Sequence, residues 1–123
     1  MRDQYNYLTT AERVDGEWSE PVFLTGGGYD PSLFHDGDGR KYFAYARRDY
    51  RYPGERLFEG IMLQEYSAAE SKLVGEARAI YHGADLPIDF FLKQQIYEGP
   101  HIYRRGRYYY LITAEGGVGS THA

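Results

Sequence analysis

Asp30-Pro31-Ser32-Leu33-Phe34, then a turn, then Lys41-Tyr42-Phe43-Ala44-Tyr45-Ala46 is the stretch that decides the fold, because its order returns further along the chain. Glu98-Gly99-Pro100-His101-Ile102-Tyr103, a turn, and Arg107-Tyr108-Tyr109-Tyr110-Leu111-Ile112 repeat it, with the two acids 68 residues apart. Each copy sets a carboxylate and a proline just before a strand, follows with a hairpin, and ends in an aromatic strand. The intervening Asp36-Gly37-Asp38-Gly39 and Arg104-Arg105-Gly106-Arg107 are glycine-containing loops of the kind that close hairpins.

Outward from this repeat, runs of four to eight residues rich in Tyr, Phe, Val, Ile and Thr alternate with glycine and aspartate turns, a strand pattern and not a helical one. Eight strands are predicted, over Tyr5 to Thr10, Pro21 to Leu24, Ser32 to His35, Tyr42 to Ala46, Gly60 to Tyr66, Ala77 to Tyr81, His101 to Arg104 and Tyr108 to Ala114. Ala68 to Leu73 is the one stretch that suits a helical turn. Repeated supersecondary units of this kind build β-propellers, whose first strand in each blade lines the central channel. The fold class is therefore all-β, a partial propeller of about two blades of antiparallel strands. Residues 1–28 are expected to form an incomplete preceding blade, 29–97 one whole blade and 98–123 the start of the next. Two blades cannot close a ring, so the chain is expected to be a fragment of one propeller domain whose exposed blade edges can drive self-association. A self-contained sandwich of eight short strands is the alternative.

Composition agrees with strands and ring-lined clefts: of 123 residues, 42% are hydrophobic and 17% aromatic, with 14 Tyr and 6 Phe. A net charge of -4 leaves no basic patch for a phosphate backbone, so no nucleic acid partner is expected. No cysteine is present, which excludes disulfides and thiolate chemistry. Nowhere do about 18 apolar residues run together, so no membrane partner is expected. No signal-peptide pattern follows Met1, which leaves the compartment open with the cytoplasm favoured.

Asp30 is turned tightly by Gly26-Gly27-Gly28 on one side and held extended by Pro31 on the other. An Asp-Pro pair alone more often caps a turn; the return of the pattern at Glu98 points instead to two acids converging on one channel. Tyr97, Pro100 and His101 surround Glu98 with groups able to desolvate a carboxyl, the setting of a general acid. Paired carboxylates held in different protonation states are the equipment of glycoside hydrolysis. His101 is placed to bond a sugar hydroxyl or the acid, or else is structural. Phe90 and Phe91, after Leu86-Pro87-Ile88, form an apolar loop suited to wall a sugar subsite or to pack in a core. Trp18 reads as a blade-packing anchor. His35, His82 and His122 lack metal-site spacing, and Asp36-Gly37-Asp38-Gly39 lacks the distal glutamate of a calcium loop, so no metal and no cofactor are expected. Gly26 to Gly28 and Gly116 to Gly117 lack the Lys-Ser/Thr of a phosphate loop.

Six stretches in order extend over nearly the whole chain: Val14 to Pro21, Tyr29 to Gly39, Glu59 to Tyr66, Lys72 to Glu76, Glu98 to Tyr103 and Tyr108 to Gly117. Together they resemble glycoside hydrolase family 43, especially its β-xylosidase and α-L-arabinofuranosidase branch. The resemblance implies a five-bladed propeller and an inverting mechanism, with Glu98 as general acid and Asp30 as the second aspartate, which tunes and orients. It also implies a xylo- or arabino-oligosaccharide as substrate, for which His101, Phe90, Phe91 and Glu115 are the candidate contacts. The family's catalytic base lies in an earlier Asp-Pro motif that has no counterpart before Tyr5. Neither Asp3 nor Asp15 sits in such a motif, so the base is missing from this chain and the isolated polypeptide is expected to be inactive or nearly so. A non-catalytic carbohydrate-binding or structural propeller fragment is the competing reading.

Overall fold

The computed structural model describes residues 4–48, 59–82 and 97–115. These form eight strands: β1 (Asn6–Leu8), β2 (Val22–Thr25), β3 (Tyr29–His35), β4 (Lys41–Arg47), β5 (Gly60–Ser67), β6 (Lys72–Tyr81), β7 (Tyr97–Arg105) and β8 (Tyr108–Glu115). They make three antiparallel sheets, β1-β2, β3-β4-β5-β6 and β7-β8, and every strand pairs with its neighbour in sequence. No helix occurs among the described residues.

The four-stranded meander is the centre, and alternation along β4 explains how it is covered. Side chains on a strand point to opposite faces in turn. Phe43 and Tyr45 therefore share one face with Met62, and this cluster packs with Leu24 of β2 and with Leu33, Leu73 and Ala77. Ala44 and Ala46 take the other face, both wholly buried, and Ala46 packs with Ile61 and Tyr97. The small alanines let β7 approach closely while the rings on the opposite face fill a wider gap. Both faces of one sheet are thus covered by neighbouring sheets, an arrangement of successive propeller blades. A two-sheet sandwich would leave one outer face to water.

β6 is the exposed outer strand, and it begins at Lys72, earlier than its apolar run from Ala77 suggests. Gly75 and Glu76 interrupt the alternation there, because an edge strand has little to bury and carries charges that discourage further pairing. The helical turn expected at 68–73 is a tight β5–β6 turn instead: Ser71 sits at φ 52, a left-handed conformation that ends any helical run. The Ser67 hydroxyl accepts the Glu70 amide across it.

β3 and β7 start several residues earlier than predicted and take in their prolines through β-bulges. Asp30-Pro31 lie opposite Tyr45 alone, and Gly99-Pro100 opposite Thr113 alone. A proline has no amide to give the ladder, and a bulge is where a strand tolerates one. Each bulge opens with a left-handed residue, Asp30 at φ 50 and Gly99 at φ 59. Structurally, Asp30 therefore corresponds to Gly99 and Tyr29 to Glu98, so the folded repeat is one residue out of step with the repeat of the acids.

Candidate functional site

Asp30 is held from behind. Gly28, at φ 82, brings the backbone against the Tyr45 ring and the Ala46 carbonyl. Asn6, a buried polar side chain of β1, donates its amide to the carbonyls of Gly27 and Gly28 at 3.2 and 3.1 Å. The preceding sheet thus clamps the turn that delivers Tyr29 and Asp30. Asp30 is itself exposed, and a non-glycine residue at positive φ stores roughly 1 kcal/mol or more that the surroundings must offset.

Glu98 is half-buried and stands between two well-packed residues, Tyr97 in the core and Pro100 fully buried. Tyr81 meets Tyr97 edge to face, with ring centroids 5.3 Å apart.

Two contacts fix how β3 lies along β7. The Ser32 hydroxyl donates to the Pro100 carbonyl, and Arg104 Nη1 donates to Asp36 Oδ1 at 2.6 Å. Both pairs are 68 residues apart, the separation that Asp30 and Glu98 have in sequence, so β3 and β7 run side by side in one direction. The residues just before the acids meet in one cluster, Tyr29 and Tyr97 packing on Ala46 and Ile61. Tyr29 registers both carboxylates: burial first pushes its phenol above the ordinary range, the Arg48 guanidinium works against this, and the charges of Glu98 and Asp30 add to it. That guanidinium lies over the Tyr29 ring, 5.4 Å from its centre.

The other sequence candidates are less gathered. His101 is exposed, beyond the bulge on β7, and among the described residues it makes no hydrogen bond to either acid. The backbone of Glu115 pairs with Tyr97 at the end of β8. Phe90 and Phe91 lie outside the described residues. Trp18 is 56% exposed and lines a groove with Leu8, Val22, Leu33 and Tyr66, so it is no buried anchor here. Among the described residues no three His, Cys, Asp or Glu side chains come together as a metal site.

Sequence reasoning missed the support at the far end of the strands. Asp36 closes the β3–β4 hairpin, its own side chain accepting the Gly37 amide at 2.7 Å. It also clasps the next sheet, accepting Arg104 and, at 2.7 Å, the Tyr109 hydroxyl, with only 8% of its side chain exposed. The Tyr109 hydrogen bond foremost, then those from Arg104 and Gly37, outweigh burial and hold its carboxyl below the usual range. A carboxyl lowered on folding stabilises above its ordinary range and loses that contribution as pH falls through the lowered value. Thermal midpoints should therefore decline on acidification below about pH 4, and Asp36→Asn should lower the neutral-pH midpoint while flattening the acid decline. A wild-type decline undiminished in the variant would place the titrating group elsewhere.

Comparison with known proteins follows the same lines. A family profile described as Glycosyl hydrolases family 43 matches residues 1–123. Xylosidase/arabinosidase 43B of Humicola insolens is 48% identical over 123 residues, covering 100% of this chain and 21% of that protein. The β-xylosidase of Bacillus subtilis (strain 168) is 45% identical over 122 residues, 99% of this chain and 21% of its own length. The crystal structure of xylan β-1,4-xylosidase from Bacillus halodurans C-125 superposes with a TM-score of 0.87 at 50% identity, covering 100% of this chain and 22% of that one. The chain spans about a fifth of the length of the curated relatives it matches.

Proposed function

The chain belongs to family 43 of the glycosyl hydrolases, and from that premise we propose that its two sheet-entry acids serve the inverting hydrolysis of terminal xylosyl or arabinofuranosyl linkages in hemicellulose oligosaccharides. Glu98 is the general acid, giving its proton to the glycosidic oxygen as the C–O bond breaks. Asp30 is the orienting carboxylate, whose negative charge also favours the cationic character that develops on the sugar. What supports this reading is that β3 and β7, the strands that carry Asp30 and Glu98, are held side by side through Ser32 and Pro100, and that both carboxylates push the Tyr29 phenol upward. His101, Phe90, Phe91 and Glu115 are proposed sugar contacts. No base is assigned among these residues.

In blade terms, β3 to β6 make one blade, β1-β2 belong to the one before and β7-β8 to the one after. Proton nuclear magnetic resonance on a propeller carrying these residues should show the released sugar first appearing with inverted anomeric configuration. The isolated 123-residue polypeptide should leave an aryl β-xyloside intact. Retention of configuration, or turnover by the isolated chain that Glu98→Gln abolishes, would overturn this assignment.

Both flanking sheets expose large apolar side chains that neighbouring blades would cover: Tyr7 and Phe23 on one side, with Tyr5 just ahead of β1, and Tyr103, Tyr108 and Ile112 on the other. Self-association of the isolated chain is the expected consequence. Sedimentation equilibrium should give a mass above the 14.2 kDa monomer, and a strictly monomeric species would count against it.

A further inference from the structure

We infer, on the glycosidase reading above, that Arg48 is a positioning residue for the carboxylate pair and acts through Tyr29. Arg48 follows the last residue of β4, and its direction is fixed by its neighbour: Arg47 grips Glu59 through two hydrogen bonds of 2.6 Å each. Arg47 is thereby engaged, whereas the exposed Arg48 lays its guanidinium on the Tyr29 ring. Arginine laid on an aromatic face is attracted to the ring and holds its plane in place.

Tyr29 is where such a hold has leverage. It occupies on β3 the ladder position that Glu98 occupies on β7, and it precedes Asp30 directly at the left-handed residue of the bulge. Its ring shares a cluster with Tyr97, the residue before Glu98. Any shift of that ring moves the base of both acids. The charged and titratable neighbours are Asp30 beside it, Glu98 and Tyr97 from β7, Tyr81 from β6, and the Arg47–Glu59 pair, with the His82 ring bonded to the Glu59 carbonyl.

The test is steady-state kinetics of a propeller carrying these residues, with an aryl β-xyloside as probe. Arg48→Met should lower kcat about tenfold to a hundredfold with KM within about twofold, the pattern of misplaced catalytic groups. Arg48→Lys, which keeps a cation over the ring, should recover most of the loss. In a Tyr29→Leu background, Arg48→Met should cost less than about twofold more, because the two residues act as one unit. An unchanged kcat in Arg48→Met overturns the proposal. So does a rise in KM alone, which makes Arg48 a substrate contact, or a loss that multiplies with that of Tyr29→Leu. If Tyr29→Leu does not fold, the Lys rescue decides. A parent propeller without turnover, or an undiminished Glu98→Gln, would remove the glycosidase reading itself and this inference with it.

Discussion

Glu98→Gln in a propeller carrying these residues should lower kcat by about a hundredfold to ten-thousandfold on a xylo-oligosaccharide, and by far less on an aryl xyloside with an acidic phenol as leaving group. The asymmetry follows from the role proposed for the side chain. A sugar alkoxide leaves only if protonated as the bond breaks, whereas a nitrophenolate departs unaided. Glutamine fills the same half-buried space between Tyr97 and Pro100, so binding and folding should change little. Asp30→Asn is the companion: asparagine tolerates the left-handed backbone at φ 50, so the substitution removes charge without adding strain. Its loss should be similar for both substrates, since orientation and charge serve every leaving group. The ratio of kcat/KM between oligosaccharide and activated aryl substrate checks both. Equal losses for the two substrates in Glu98→Gln would end the assignment of Glu98 as acid.

Gly28→Ala should be the most damaging single change to the fold. An added Cβ would stand 2.2 Å from Tyr45 Cδ2 and 2.7 Å from the Ala46 carbonyl oxygen. Tyr45 is 3% exposed and has nowhere to withdraw. The left-handed backbone at φ 82 costs about 1 to 2 kcal/mol for any side chain, and overpacking a closed core adds about 1 to 3 kcal/mol. A total of about 2 to 5 kcal/mol is a large share of the 5 to 15 kcal/mol that holds a typical domain folded. Gly39→Ala separates the two contributions, because Gly39 sits at φ 89 with open space around its Cβ direction. Urea denaturation of both variants should show Gly28→Ala costing at least about 1 kcal/mol more. Equal costs would mean that the backbone alone makes Gly28 necessary.

The strands were readable from the chain because burial on two faces leaves a period-two record, plainest in Phe43, Ala44, Tyr45 and Ala46. The bent strand entries beside Asp30 and Glu98 were readable because a proline closely follows each acid, with glycines near by. What stayed hidden depends on which surfaces meet. Tyr29 and Tyr97 look like any other tyrosines until β3 is laid beside β7. Asp36 looks like hairpin punctuation until Arg104 and Tyr109 arrive from the next sheet. Asn6 is one polar residue in a weak strand, and its reach to Gly27 and Gly28 crosses between sheets. β6 was cut short because an edge strand need not alternate. The exposure of Trp18 depends on the path of the β1–β2 connection, which composition does not encode.

The one-residue slip between the two bulges bears on ancestry and on design. If the units descend from a duplicated segment, the proline kink is the inherited part, whereas Asp30 and Glu98 arose separately, one on the kink and one just ahead of it. An artificial blade built from the consensus of both copies would keep the bend and scramble the carboxylates. Grafting the chemistry onto such a scaffold would require placing each acid by its own rule.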